Sequence, residues 1–192
     1  MGQYYMAILG DPHGLNCKVF DRSVDGEYEF AKLMEHSWME NRFVTAISEM
    51  LYKRPGRLAW VGDYAEDSDF EALKTTALYV PNCEVVWGAG VKKHGVSSTD
   101  FTLDGKFLLN RETKQFIDMD AYKLASTDKH GWCIHPLPLL TALGNDRGLG
   151  DFHEGGVGYE FVGSWAWQLI AISDKPPANY TMFNLAFIEQ RE

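Results

Sequence analysis

The stretch from Ile134 to Trp167, IHPLPLLTALGNDRGLGDFHEGGVGYEFVGSWAW, constrains this chain most, because prolines, glycines, opposite charges and two tryptophans are concentrated in it. Each residue before a proline is pushed out of the α region. His135-Pro136-Leu137-Pro138 is therefore expected to run extended as far as Leu137, with Pro138 opening a short helix. That helix, through Leu139, Leu140 and Leu143, is expected to stop at Gly144, which takes the left-handed conformation cheaply. Asn145-Asp146-Arg147-Gly148-Leu149-Gly150-Asp151 follows as a tight loop whose backbone can approach a neighbour closely. Its N–H groups and Arg147 suit an anion or a partner, while Asp146 and Asp151 suit a cation or the fixing of Arg147. On this reading Arg147→Ala impairs function more than stability. The loop has neither the Gly-Lys-Ser/Thr of a Walker loop nor the alternating acidic ligands of an EF-hand.

A chain of 192 residues, 45% apolar and 23% charged, is expected to fold as a single domain over residues 1–192. Its formal charge of −9 opposes general nucleic-acid binding, which needs a basic face, and permits a basic protein partner. Cys17, Cys83 and Cys133 are too few and too widely spaced for a disulfide framework, which fits a reducing cytoplasm. The sequence shows no signal peptide and no apolar run long enough to span a membrane.

Short strands are expected over Tyr4–Leu9, Lys18–Phe20, Arg57–Tyr64, Glu84–Trp87, Phe107–Leu109, Phe116–Ile117, Ala166–Ile172 and within Thr181–Ile188. Asp104-Gly105 is expected to join Phe101–Leu103 to Lys106–Leu109 as a hairpin. Phe30, Leu33, Met34 and Trp38 have helical spacing. Ser37 and Glu40 have capping-box spacing and are expected to start a second helical stripe of Val44, Ile47 and Leu51. Ser68 is expected to cap a helix through Phe70, Leu73 and Ala77. These elements predict an α+β protein with a mostly antiparallel sheet of short strands and two or three packed helices.

Asp63 and Tyr64 sit at a strand end before the acidic residues Glu66, Asp67 and Asp69, a pattern that could offer oxygen ligands to Mg²⁺ or Ca²⁺. His130, Cys133, His135 and His153 are ligand types without a standard zinc spacing, and Cys133–His135 lacks an orienting group for a nucleophile pair. Most tryptophans are expected in the core, with Trp165 a candidate stacking surface if it lies exposed beside Arg147.

The opening Met1–Tyr5, KLMEHSW at 32–38, WVGDYAED at 60–67, HPLPLLTALGNDRGLGD at 135–151 and VGSWAW at 162–167 resemble a family of uncharacterised bacterial and bacteriophage proteins. The likeness covers most of the chain outside about residues 88–105 and brings no activity with it. Trp167-Gln168 stands where such relatives often carry an Asp-Arg pair. The expected function is a non-enzymatic binding protein that engages a protein or a small anionic ligand, one version being inhibition of a host or defence protein. Its candidate binding residues are Asn145, Asp146, Arg147, Asp151, Trp165, Asp63 and Tyr64. The competing expectation is a metal-dependent hydrolase of a nucleotide or other phosphate ester, with Asp63, Asp151 and His153 on the ion and Arg147 on the phosphate.

Overall fold

A computed structural model describes residues 3–14, 16–20, 32–35, 37–66, 68–69, 83–86, 101–148 and 151–189. Among these, strands β1 (Tyr5–Gly10), β2 (Cys17–Phe20), β3 (Gly56–Gly62), β4 (Cys83–Val86), β5 (Phe107–Asn110), β6 (Gln115–Asp118), β7 (Ala142–Leu143), β8 (Gln168–Ser173) and β9 (Thr181–Met182) form one sheet. Their order is β4-β2-β1-β3-β8-β5-β6-β9, with β7 also beside β3. The β1–β2, β1–β3, β3–β8, β5–β6 and β5–β8 pairs are antiparallel, while β2–β4, β3–β7 and β6–β9 are parallel. Among the described residues three helices accompany it: α1 (Arg42–Lys53), α2 (Met119–Ser126) and α3 (Pro136–Leu140). The α+β class and the mostly antiparallel sheet are as the sequence predicts.

Strand β3 is the centre. β1 lies along one side, with Ala7 opposite Trp60, and the other side is shared by β8 at Gly56–Leu58 and β7 at Trp60–Val61. Helix α1 covers it by the predicted apolar stripe: Val44, Ile47 and Leu51 are fully buried, and Phe43 meets Trp60 edge to face at 5.3 Å. Each such side chain contributes about 1.5–3 kcal/mol by leaving water.

The helix does not start at Ser37. Asn41 caps it, its side-chain oxygen accepting from the Phe43 and Val44 N–H groups at 2.9 and 3.2 Å. Of the predicted helical stripe of Phe30, Leu33, Met34 and Trp38, the last three are described and none of them is helical. Leu33 and Met34 are buried in a turn, and Trp38 bridges Ile134, with Ser37 O accepting from His135 N at 2.6 Å. Tertiary pairing has overridden the local periodicity.

Helix α3 begins two residues earlier than expected, at Pro136, where a missing N–H costs nothing. The ring of His135 accepts from Leu137 N at 3.0 Å and so holds Leu137 helical although a proline follows it. The helix ends at Leu140, and Leu143 belongs to β7. Phe101–Leu103 is not a strand, so the turn at Asp104-Gly105 leads into β5 without a hairpin partner. The β5–β6 hairpin does form. No described helix is long and apolar enough to cross a membrane. Phe30, His36, Asp67, Trp87, Leu149, Gly150 and the expected helix from Phe70 to Ala77 lie outside the described residues.

Candidate functional site

Strands β3 and β7 are parallel neighbours, so their C-terminal ends lie side by side. The Asp63 turn leaves one and the Asn145–Asp151 loop leaves the other, and β1, antiparallel to β3, begins at the same edge with Tyr5 opposite Gly62. Two segments that sequence alone could not connect are thereby brought together.

Arg147 joins them. Its guanidinium donates to the Tyr64 carbonyl at 3.1 Å and to Asp69 Oδ1 at 3.1 Å, and lies 3.5 Å from a Glu66 oxygen. The expected pairing with Asp146 or Asp151 does not occur. Asp151, 1% exposed, instead accepts the N–H groups of Arg147 and Gly148 on Oδ2 at 2.9 and 3.1 Å. The backbone donors that suited an external anion are thus taken by the chain's own carboxylate. Burial pushes the Asp151 carboxyl above its ordinary range, and these two N–H groups pull it back.

Asn145 and Gly148 are equally fixed. Asn145 exchanges two hydrogen bonds with the Phe152 backbone, at 2.6 and 3.1 Å. Gly148 passes so close to Gln3 that a Cβ there would sit 2.6 Å from the Gln3 nitrogen. Beneath it, Tyr5 donates to the Gly144 carbonyl at 3.4 Å and lies against Asp151. Burial first, then the charges of Asp151 and Asp146, drive its phenol far above the usual range.

What the loop turns outward is Asp146. It is a non-glycine residue at φ 68, a conformation that aspartate visits more readily than most. One carboxylate oxygen faces His153 Nδ1 at 3.3 Å, and the other accepts from the Tyr159 hydroxyl at 2.5 Å. That bond pushes the Tyr159 phenol up to about 12. Tyr159 opens a short 3₁₀ turn, Tyr159–Phe161, behind Gly158.

Of the predicted residues, Asn145, Asp146, Arg147, Asp151, Asp63 and Tyr64 come together, and Tyr64 is 39% exposed. Trp165 is 2% exposed and packs against Phe183, so it offers no stacking face beside Arg147. Asp63 Oδ1 accepts from Tyr4 N at 3.0 Å. Asp63, Asp151 and His153 serve different partners, and among the described residues no three His, Cys, Asp or Glu gather to hold an ion. Gln3, Tyr5 and Tyr159 were not singled out in the sequence. Gln3 and Tyr5, two apart at the start of a strand, share a face, whereas nothing local marks Tyr159.

A buried Ser–His pair also proves structural. Ser48 Oγ lies 3.2 Å from His135 Nε2 and donates to the Val44 carbonyl at 2.8 Å. Because Nδ1 accepts from Leu137 N, the proton is on Nε2, the reverse of what a general base for Ser48 requires. Cys133 does not pair with His135; its thiol points to the Ile134 carbonyl, and burial pushes it up. A roomier depression of about 270 Å³, between β6, α2 and residues 182–186, is mainly apolar. There the Tyr122 hydroxyl is committed to the Ile134 carbonyl and Asp118 to the α2 cap.

No family model, curated protein or solved structure matches the chain. Arg147 therefore has to be understood from its contacts, and these make it a strut. Arg147→Ala is expected to lower stability by about 1–2 kcal/mol, since it removes charge-assisted bonds to Asp69 and to a backbone carbonyl. Denaturant unfolding checks this, and a loss under about 0.5 kcal/mol would leave the guanidinium without that role.

Proposed function

We propose that the protein is a binding protein, and that its recognition surface is the face built on Asp146, His153 and Tyr159, with a basic segment of a protein partner as its target. One observation carries this reading: Asp146 holds a left-handed backbone and aims one carboxylate at both neighbours. The polar groups are fixed before a partner arrives, which lowers the entropy lost on binding. The charge of the face supports a cationic partner. Asp63, Glu66, Glu154 and Glu160 are exposed around it, and Arg147 is matched by Asp69 and Glu66. The N–H groups of Arg147 and Gly148 are already engaged by Asp151, which weighs against a small anion.

Asp146→Gly separates binding from folding, because glycine takes φ 68 without strain while removing the carboxylate. Its stability is expected to stay within about 1 kcal/mol of wild type. Affinity capture at mild salt is expected to retain a near-stoichiometric protein on wild type and not on the variant. Capture of the same proteins by both, or of none by wild type, would sink the reading.

A further inference from the structure

The apolar hollow beside α2 opens where the chain beyond β9 parts from β6. Phe183 N still donates to the Phe116 carbonyl, at 2.7 Å, whereas Phe187 N donates to Ser126 Oγ on α2, at 3.2 Å. Between them an exposed Asn184 precedes a buried Leu185, the alternation of an extended segment. The N–H of Leu185 therefore lies on the same side as those of Phe183 and Phe187, and it meets no acceptor among the described residues. Leu185 lines the hollow. Opposite it, Ala121 and Ala125 stand one turn apart on one face of α2, and their small side chains leave about 270 Å³ open. Apolar surface continues outside: Met182, which also lines the hollow, is 42% exposed, and Leu124, on the same helix face as the two alanines, is 86% exposed.

Asp118 gives this apolar space a charge. It lines the hollow, and its two capping bonds, from the N–H groups of Asp120 and Ala121 at 3.0 and 3.1 Å, both fall on Oδ1. Oδ2 is left without a partner among the described residues. The site thus combines an anionic acceptor, a backbone donor and room for one apolar group. Its 270 Å³ falls just short of the about 300 Å³ at which pockets for whole small molecules begin, a size for a single residue. The residue that answers all three features is an amino-terminal one, which carries an ammonium, a carbonyl and a side chain on neighbouring atoms. A lysine side chain brings the charge without a carbonyl beside it. A free amino acid adds a carboxylate, which Asp118 and the formal charge of −9 oppose.

We infer that the hollow between β6, α2 and residues 182–186 receives the amino-terminal residue of a partner polypeptide. Its apolar side chain enters against Ala121 and Ala125, its ammonium pairs with Asp118, and its carbonyl accepts from Leu185 N. This site is separate from the Asp146 face and does not rest on it.

Calorimetric titration of the full chain with the peptide amide Leu-Ser-Gly-Ser, its N-acetylated form and free leucine tests the assignment. The free-amine peptide is expected to bind at least about 10-fold more tightly than the acetylated one, the worth of a bond to a charged group. Asparagine caps helices as well as aspartate does, so Asp118→Asn should unfold at the wild-type denaturant concentration while losing that preference. Ala125→Leu, at an exposed helix position that tolerates leucine, should fill the hollow and abolish binding of both peptides. Equal affinity for the two peptides would make the hollow a plain apolar groove and overturn the proposal, and tighter binding of free leucine would replace the polypeptide end with an amino acid. No heat from the free-amine peptide at millimolar concentration, or wild-type affinity in Asp118→Asn, would overturn it equally.

Discussion

Between pH 7 and pH 4 the protein is expected to lose about 3 kcal/mol of folding stability through His135 alone. The ring is fully buried, and burial lowers its pKa from 6.5 to about 3. Neither nitrogen has room for a second proton: Nδ1 accepts from Leu137 N, and the Nε2 proton is given to Ser48 Oγ. As pH falls below 6.5 the unfolded chain takes up a proton that the folded chain refuses. Stability is therefore complete above that pH and drains by about 1.4 kcal/mol per unit until the folded ring titrates. Asp151 works in the opposite direction, because its raised pKa makes its ionisation costly in the fold and acid relieves that cost. A domain typically has about 5–15 kcal/mol to lose, so the His135 effect is a large share. His135→Asn keeps a capping oxygen for Leu137 N but cannot titrate. It is expected to be less stable at pH 7 and to show a flatter acid profile in urea unfolding. An unchanged profile would mean that another group carries the acid sensitivity.

The same residue shows how far the sequence could be read. His135-Pro136-Leu137-Pro138 announces a helix start, but which proline opens it depends on a ring nitrogen accepting an N–H, and no propensity encodes that. Strands β1, β3, β5, β6 and β8 were visible because their apolar runs and turns are local signals. The Leu33–Trp38 periodicity misled because Trp38 is recruited by Ile134, almost a hundred positions away. The loop Asn145–Asp151 was legible as a tight, charged turn from its glycines. Its wiring was not: Arg147 and Asp151 look like an ion pair in sequence, yet each serves another segment's or its own loop's backbone. Proximity of the Asp63 and Asp151 segments follows only from the parallel β3–β7 pairing, a long-range contact.

Gly158→Ala is expected to cost about 3–4 kcal/mol and to remove the recognition surface with it. Gly158 has φ 87, where a Cβ alone costs about 1–2 kcal/mol. The added methyl would also lie 2.3 Å from the Ala186 carbonyl and 2.8 Å from the Phe187 ring. Neither neighbour can step aside cheaply. Phe187 is fully buried against Phe152, at 5.5 Å between centroids, and its N–H donates to Ser126 Oγ at 3.2 Å. Val157 and Ile188 are tied by two backbone bonds, at 2.8 and 3.2 Å. Relief must then come from moving the turn that starts at Tyr159, which withdraws the phenol from Asp146 and leaves His153 its only described partner there. Thermal unfolding and partner binding should fall together in Gly158→Ala, in contrast to Asp146→Gly, which affects binding alone. A Gly158→Ala variant that melts like wild type would show that the C-terminal segment does not press on this turn, and that Tyr159 is held by Asp146 without help from the fold beneath it.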